Sequence, residues 1–256
     1  MLIPTPETPP TPVERFRKDW APPPYRIESV NLDINIRDGA TLVTSTMTIL
    51  PQADAVDKPL DLDGVKLALL LIELDGKPLA DDAFTLTYDG LRVFRPPSAA
   101  GSSFELKTTV QIEPEKNTQL SGLYKSGNAY ITHNEAQGFR RITFFQDRPD
   151  IMAKYDCRIE ADKANYPLLL ANGNEIDHGD LPDGRHWASF SDPFRKPSYL
   201  FCAVAGDLGG IQSTFTTKSG REVALKVWSE KENVDELAWS MQCLKDSMRW
   251  DEDTYG

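Results

Sequence analysis

From Ile27 the chain alternates apolar and polar residues with a period of two. Leu32, Ile34 and Ile36 interleave with Asn31, Asp33, Asn35 and Arg37, which places the apolar set on one face of a strand. Asp38-Gly39 then suits the positive φ of a tight turn. Val43, Met47 and Ile49 alternate with Thr44, Thr46 and Thr48 beyond it, so the two runs predict a β-hairpin. Asp75-Gly76 and Asp89-Gly90 repeat the device. Phe84, Leu86 and Tyr88 precede the last of these turns, and Leu91 and Val93 follow it. Phe104, Leu106, Thr108, Val110 and Ile112 form another alternating run. Val65 to Leu74 is nearly continuously apolar, which predicts a central strand covered on both faces. Short strands separated by frequent turns predict antiparallel sheets packed on each other, so the fold class is mainly β.

The pattern changes after Gly206-Asp207-Leu208-Gly209-Gly210, a plausible hinge. Ser213 to Thr217 and Glu222 to Trp228 predict two strands around Ser219-Gly220. Val234, Leu237, Met241, Leu244 and Met248 then recur at steps of three and four, the stripe of an amphipathic helix. Asn233 is the expected N-cap, with Glu236 completing a capping box. Little chain remains to cover that stripe. Its side chains, worth about 1.5–3 kcal/mol each when buried, are expected to stay partly exposed and make the piece sticky. At the other end, residues 1–13 carry five prolines and predict an extended leader. The expected organisation is therefore a leader over 1–13, a β domain over 14–208 and a further segment over 209–256.

Composition narrows the function. At 256 residues the chain can bury a real core. Its net charge of −11, without a Lys/Arg cluster, argues against nucleic acid and anionic membrane as partners. Cys157, Cys202 and Cys243 are odd in number and form no C-x-x-C pair, so reduced, mostly buried thiols are expected, with Cys157 and Cys202 in the core. No apolar run is long enough to span a bilayer, and no signal-peptide pattern opens the chain. A soluble protein of the cytoplasm or an organelle lumen is expected.

Candidate chemistry concentrates between Tyr130 and Asp150. Glu135 lies just before Gly138, where the backbone can turn. Arg140 and Arg141 follow, then the strand-like Ile142-Thr143-Phe144-Phe145 and the charged turn Asp147-Arg148-Pro149-Asp150. Opposite charges flanking a strand predict structural ion pairs that tie loops together. His133, His178 and His186 offer no i, i+4 pair to chelate a metal on a helix, so no metal site is expected in this chain. His186, next to a Gly-containing turn, is expected to be a satisfied imidazole.

These blocks closely resemble the N-terminal domain of the aminopeptidase N family, zinc exopeptidases that remove N-terminal residues. The likeness is carried by Pro114-Glu115-Lys116-Asn117-Thr118, Gly122-Leu123-Tyr124-Lys125-Ser126, Glu135-Ala136 and Gly138-Phe139-Arg140-Arg141-Ile142-Thr143. It continues through Asp147-Arg148-Pro149-Asp150, Tyr166-Pro167-Leu168-Leu169 and Lys196-Pro197-Ser198-Tyr199-Leu200-Phe201 to Val204-Ala205-Gly206-Asp207-Leu208. It runs over roughly residues 14 to 256 and is strongest to the bacterial- and parasite-type branch.

The resemblance implies a β-sandwich-like saddle over 14–208. It also implies that 209–256 begins a thermolysin-like α+β catalytic domain. The family's zinc motif H-E-x-x-H and its G-A-M-E-N motif are absent from this sequence. The chain is therefore expected to be the front portion of a zinc metallo-aminopeptidase, inactive and zinc-free alone, with peptides and the catalytic portion as partners. Glu135 matches the family glutamate that helps hold the substrate's free α-amino group. His133 stands where the family usually has Gln, lining the pocket for the first side chain, and Asn134 stands where it usually has Cys. The substrate-binding residues implied are thus Glu135 and His133. A purely structural role would make Glu135 an exposed loop residue or a partner for Arg140 or Arg141. Two alternatives stand for the chain as a whole, of which the first is a non-catalytic interaction or scaffold module of a degenerate relative. A carbohydrate-binding sandwich would need an exposed aromatic platform.

Overall fold

A computed structural model of the chain describes Ile3–Pro4 as backbone, Glu14, and residues 16–256. The proline-rich leader expected over 1–13 lies outside the described residues, Ile3–Pro4 excepted. The chain divides into two compact units, Met1–Ala205 and Gly206–Gly256.

The larger unit is built from strands, as the alternation predicts. Its first half holds β1 (Ile3–Pro4), β2 (Tyr25–Asn35), β3 (Thr41–Pro51), β4 (Leu60–Asp63), β5 (Ala68–Leu74), β6 (Lys77–Pro78), β7 (Phe84–Thr87), β8 (Gly90–Val93) and β9 (Phe104–Ile112). Its second half adds β10 (Gly122–Ser126), β11 (Ala129–His133), β12 (Ala153–Asp162), β13 (Leu168–Ala171), β14 (Asn174–Asp180), β15 (Arg185–Lys196) and β16 (Ala203–Gly206). The main sheet runs β1-β5-β9-β3-β2-β12-β15-β14, with β6 beside β5. A second sheet has the order β10-β11-β16-β13, and a third β4-β8-β7. In β3 every second residue is buried, from Thr41 to Pro51, so one face of the main sheet forms the core while the other stays partly wet.

The β2–β3 hairpin turns at Asp38-Gly39, with Gly39 at φ +73°. The second strand pair on β2 departs from the antiparallel expectation. β12 lies parallel to it, Cys157 opposite Leu32. A parallel partner must arrive by a long connection, which leaves no short-range mark in the sequence.

Two strand expectations need correction. The apolar run Val65–Leu74 is not covered on both faces, although its strand does lie between β1 and β9 in the main sheet. β5 begins only at Ala68, and its register against β9 slips between Leu69 and Leu71. That bulge puts Leu69 and Ile72 in the core, three residues apart, while Leu70 and Leu71 stay half-buried; the irregularity, not double coverage, breaks the alternation. Ile142-Thr143-Phe144-Phe145 is not a strand either. A 3₁₀ turn over Phe139–Arg141 precedes it, and only Phe145 makes a bridge, to Asp63. All four side chains are fully buried, so the segment packs on every side. Phe139, Phe145, Tyr155 and Phe201 meet edge-on or tilted there, with ring centroids 5.0–6.2 Å apart, a geometry that favours aromatic pairs.

The smaller unit pairs β17 (Gly209–Thr216) with β18 (Glu222–Ser229), followed by α1 (Leu237–Tyr255). Asn233 is not the N-cap. A 3₁₀ segment, Lys231–Glu236, leads into the helix, and the Asn233 N–H is spent on the Glu230 carbonyl at 3.0 Å. The residue flanking the helix is Glu236, without a side-chain cap bond. The apolar stripe is also better covered than expected. Phe215, Leu225 and Met241 are buried together, with Ile211, Val223, Val227, Leu244 and Met248 packed on them, so the β17–β18 hairpin shields the helix.

Of the cysteines, Cys157 is buried, but Cys202 and Cys243 are exposed, which corrects the core assignment of Cys202. Desolvation pushes the Cys157 thiol far up and raises that of Cys202. Since the thiolate is the nucleophile, iodoacetamide at neutral pH should modify Cys243 first, Cys202 more slowly and Cys157 only after unfolding. Peptide mass mapping over a time course reads the order directly, and early labelling of Cys157 would contradict the packing described.

Candidate functional site

The segment from His133 to Asp147 is laid out by two strands and a turn. β10 and β11 pair with Gly122 opposite His133, so His133 closes the second strand at an exposed position. Its Nδ1 lies 3.4 Å from the Leu120 carbonyl oxygen. The loop carrying Leu120 is held by Asn117, whose Nδ2 donates to the carbonyls of Ser121 and Leu123 at 2.8 and 2.9 Å.

The chain then reverses. The Gly138 N–H donates to the Asn134 carbonyl at 2.8 Å, and Glu135, Ala136 and Gln137 project as the exposed part of the turn. The Glu135–Ala136 peptide is cis. Gly138 is required for space. A Cβ there would lie 2.4 Å from the His133 oxygen, 2.6 Å from the Asn134 Cα and 2.9 Å from the Gly122 nitrogen.

Asn134 turns inward and is 2 % exposed. Its Nδ2 donates to the Phe201 carbonyl at 2.7 Å, while Oδ1 is buried without a hydrogen-bond partner among the described residues. Glu135 points the other way. Among the described residues no hydrogen bond or ion pair engages its carboxylate.

Arg140 is committed elsewhere, while no hydrogen bond or ion pair of the Arg141 side chain occurs among the described residues. Arg140 donates from N and Nε to Asp147 Oδ2 at 3.2 and 3.1 Å, and its Nη1 lies 3.1 Å from Asp63 Oδ1. Asp147, 1 % exposed, also accepts from Ser198 Oγ at 2.5 Å, and its N–H donates to Asp63 Oδ2 at 2.9 Å. Burial pushes the Asp63 carboxyl above its usual range, and the Arg140 charge offsets this only in part. Burial likewise lowers the Arg141 guanidinium, with Tyr88 acting against it and Arg140 with it. Arg148 pairs with Asp150 at 2.6 Å nearer the surface. Arg140, Asp147, Arg148 and Asp150 therefore hold loops, as their flanking positions suggested, whereas Arg141 takes no part in an ion pair among the described residues.

Asp63 and Ser198 join this network from distant elements and leave no local mark in the sequence. The buried side chain of Asn134 was equally hidden. A polar residue between two polar neighbours carries no burial signal.

The other histidines stand apart. His178 is exposed, its Nδ1 2.7 Å from Glu175, and His186 Nε2 lies 2.8 Å from the Tyr166 carbonyl, a satisfied imidazole. Among the described residues, no group of three or more His, Cys, Asp or Glu could hold a metal ion. Zinc therefore does not fit the residues described. No helix among them is long and apolar enough to cross a membrane.

The chain as a whole is similar to several known proteins. The Peptidase M1 N-terminal domain family matches residues 22–200. Aminopeptidase N of Escherichia coli strain K12 is 41% identical over 245 residues, covering 96% of this chain. Aminopeptidase N of Haemophilus influenzae is 42% identical over 244 residues, covering 94%. The chain spans only 27% of the length of each of these relatives. Among solved structures, Legionella pneumophila aminopeptidase A in complex with aspartic acid superposes with a TM-score of 0.88 at 31% identity, over 93% of this chain and 28% of that one. An M1 zinc metallopeptidase from Deinococcus radiodurans bound to a Tyr-Ser-Ala substrate superposes at 0.68 over 81% of this chain and 48% of its own, with 16% identity. That second likeness is one of fold alone.

Proposed function

The chain belongs to the peptidase M1 family as its N-terminal domain, and from that premise we propose that it is the N-terminal portion of a zinc-dependent aminopeptidase. In this reading it supplies the contact that selects a peptide's free N-terminus. The observation that carries the proposal is Glu135, an exposed carboxylate on a turn fixed at both ends and engaged by neither Arg140, which pairs with Asp147 and Asp63, nor Arg141.

A carboxylate meeting an α-ammonium makes a charge-assisted hydrogen bond worth about 1.5–3 kcal/mol. A mid-chain peptide bond has no ammonium to offer, so the contact favours removal of terminal residues. His133, exposed at the end of β11, serves in the same reading as a wall of the pocket for the first side chain. Residues 209–256, a hairpin and a helix, are read as the beginning of the catalytic domain. Hydrolysis then needs residues beyond those described, which hold no metal-binding group; peptides and that catalytic portion are the partners proposed.

The test is Glu135→Ala in the protein carrying the catalytic portion. With the ammonium contact gone, kcat/KM for an alanyl anilide should fall about 10- to 100-fold, the equivalent of that bond. Unchanged KM and turnover would remove Glu135 from the site.

A further inference from the structure

Both ends of the Glu135 turn converge on Phe201. At the entrance, the buried Asn134 amide donates to the Phe201 carbonyl at 2.7 Å. At the exit, Phe139, directly after Gly138, sets its ring edge-on against the Phe201 ring with centroids 5.3 Å apart. Phe201 is itself fixed. It is 3 % exposed, and its N–H donates to the Ser198 carbonyl at 3.0 Å. Ser198 in turn donates to the buried Asp147.

Between these two ties, Glu135, Ala136 and Gln137 are all exposed. Burial of their own side chains cannot set the direction of the carboxylate. The direction comes from the backbone, and the backbone at the entrance is set by Asn134. A buried amide N–H with an acceptor at this distance holds its side chain in one orientation. A thiol, the side chain the resemblance suggested for this position, is a weak donor and could not make the same tie.

We infer that Asn134 is a positioning residue that aims Glu135 at the substrate's α-ammonium, working through the Phe201 carbonyl without touching substrate. This rests on the proposed role of Glu135. It adds the element that keeps the carboxylate outside while the neighbouring side chain is locked inside. Thr132, on β11 two residues before Asn134, provides a built-in reference. Its Oγ1 accepts from the Ala203 N–H at 2.9 Å, tying the same strand to β16 without involving the turn.

Two measurements test the inference. In the 256-residue chain, Asn134→Ala should speed amide exchange at Gly138 about tenfold or more while Ala203 keeps its protection. Equal acceleration at both sites would mean general loosening and would overturn the positioning role. In the whole aminopeptidase, Asn134→Ala, Glu135→Ala and the double variant form a cycle on kcat/KM for an alanyl anilide. The single Asn134→Ala change should cost about fivefold or more, and the double variant should match Glu135→Ala within about twofold, because one residue acts through the other. Additive losses would overturn the inference, as would a silent Asn134→Ala beside a damaging Glu135→Ala; that last result leaves the role of Glu135 standing. If Glu135→Ala itself has no effect, the role of Glu135 fails and this inference fails with it.

Discussion

Asp147→Ala is expected to destabilise the larger unit by about 3–5 kcal/mol, the usual cost of breaking a buried ion pair by removing one partner. The Asp147 side chain is fully buried, and the Arg140 side chain is 17% exposed. Removing the carboxylate takes away two Arg140 contacts and the acceptor of Ser198 Oγ. Arg140 then depends on Asp63, a carboxyl that burial already makes reluctant to ionise. One compensation exists. The negative charge of Asp147 is among the groups that raise Asp63, so its removal lets Asp63 ionise more readily and recovers part of the pairing. The net loss remains large because the guanidinium stays in place without its buried acceptor. Urea unfolding of the 256-residue chain should show a lower midpoint with an unchanged slope, the sign of a stability change alone. A loss below about 1 kcal/mol would mean the network behaves as a surface pair.

Asp147 also shows where the sequence was legible and where it was not. Hairpins such as β2–β3 could be read because two local signals coincide there, a period of two and an Asp-Gly turn. β5 shows no such period, because a bulge between Leu69 and Leu71 breaks it, and its continuous apolar run suggests coverage on both faces instead. The parallel β2–β12 pairing joins residues more than a hundred positions apart and has no local signature at all. The start of α1 was misplaced because Asn233 and Glu236 satisfy a capping pattern that the 3₁₀ entry overrides.

At the candidate site, local chemistry alone could show that Glu135 is a carboxylate near a turn, and no more. Its proposed role came from the order of motifs along the whole chain. Asn134 and Asp147 were out of reach for a different reason. Each is a polar residue buried by partners that arrive from Phe201, Ser198 and Asp63, and burial of that kind is a tertiary fact.

Gly138→Ala is expected to damage stability and the proposed activity together, for a reason separable from backbone preference. Gly138 sits at φ −83°, ψ −26°, which any residue adopts. The obstacle is room. The added methyl would meet three backbone atoms at 2.4–2.9 Å, and no side-chain rotation can clear them. Overpacking costs about 1–3 kcal/mol when side chains can shift, and a clash with fixed backbone belongs at or above the top of that range. Relief requires the turn to move away from His133 and Gly122, which stretches the Gly138–Asn134 bond and displaces Glu135. A shift of about 1 Å in a positioned group can cost about 100-fold in rate, so kcat/KM of the proposed whole enzyme should fall by about that factor. Gly39→Ala is the contrast. Gly39 has φ +73° with nothing within 4 Å of the added carbon, so it carries only the left-handed backbone penalty of about 1–2 kcal/mol and should leave kcat/KM unchanged. Thermal melting and peptide kinetics on the two variants separate the causes. If Gly138→Ala loses no more activity than Gly39→Ala, the turn tolerates displacement, and the placement of Glu135 does not depend on the close approach of these backbones.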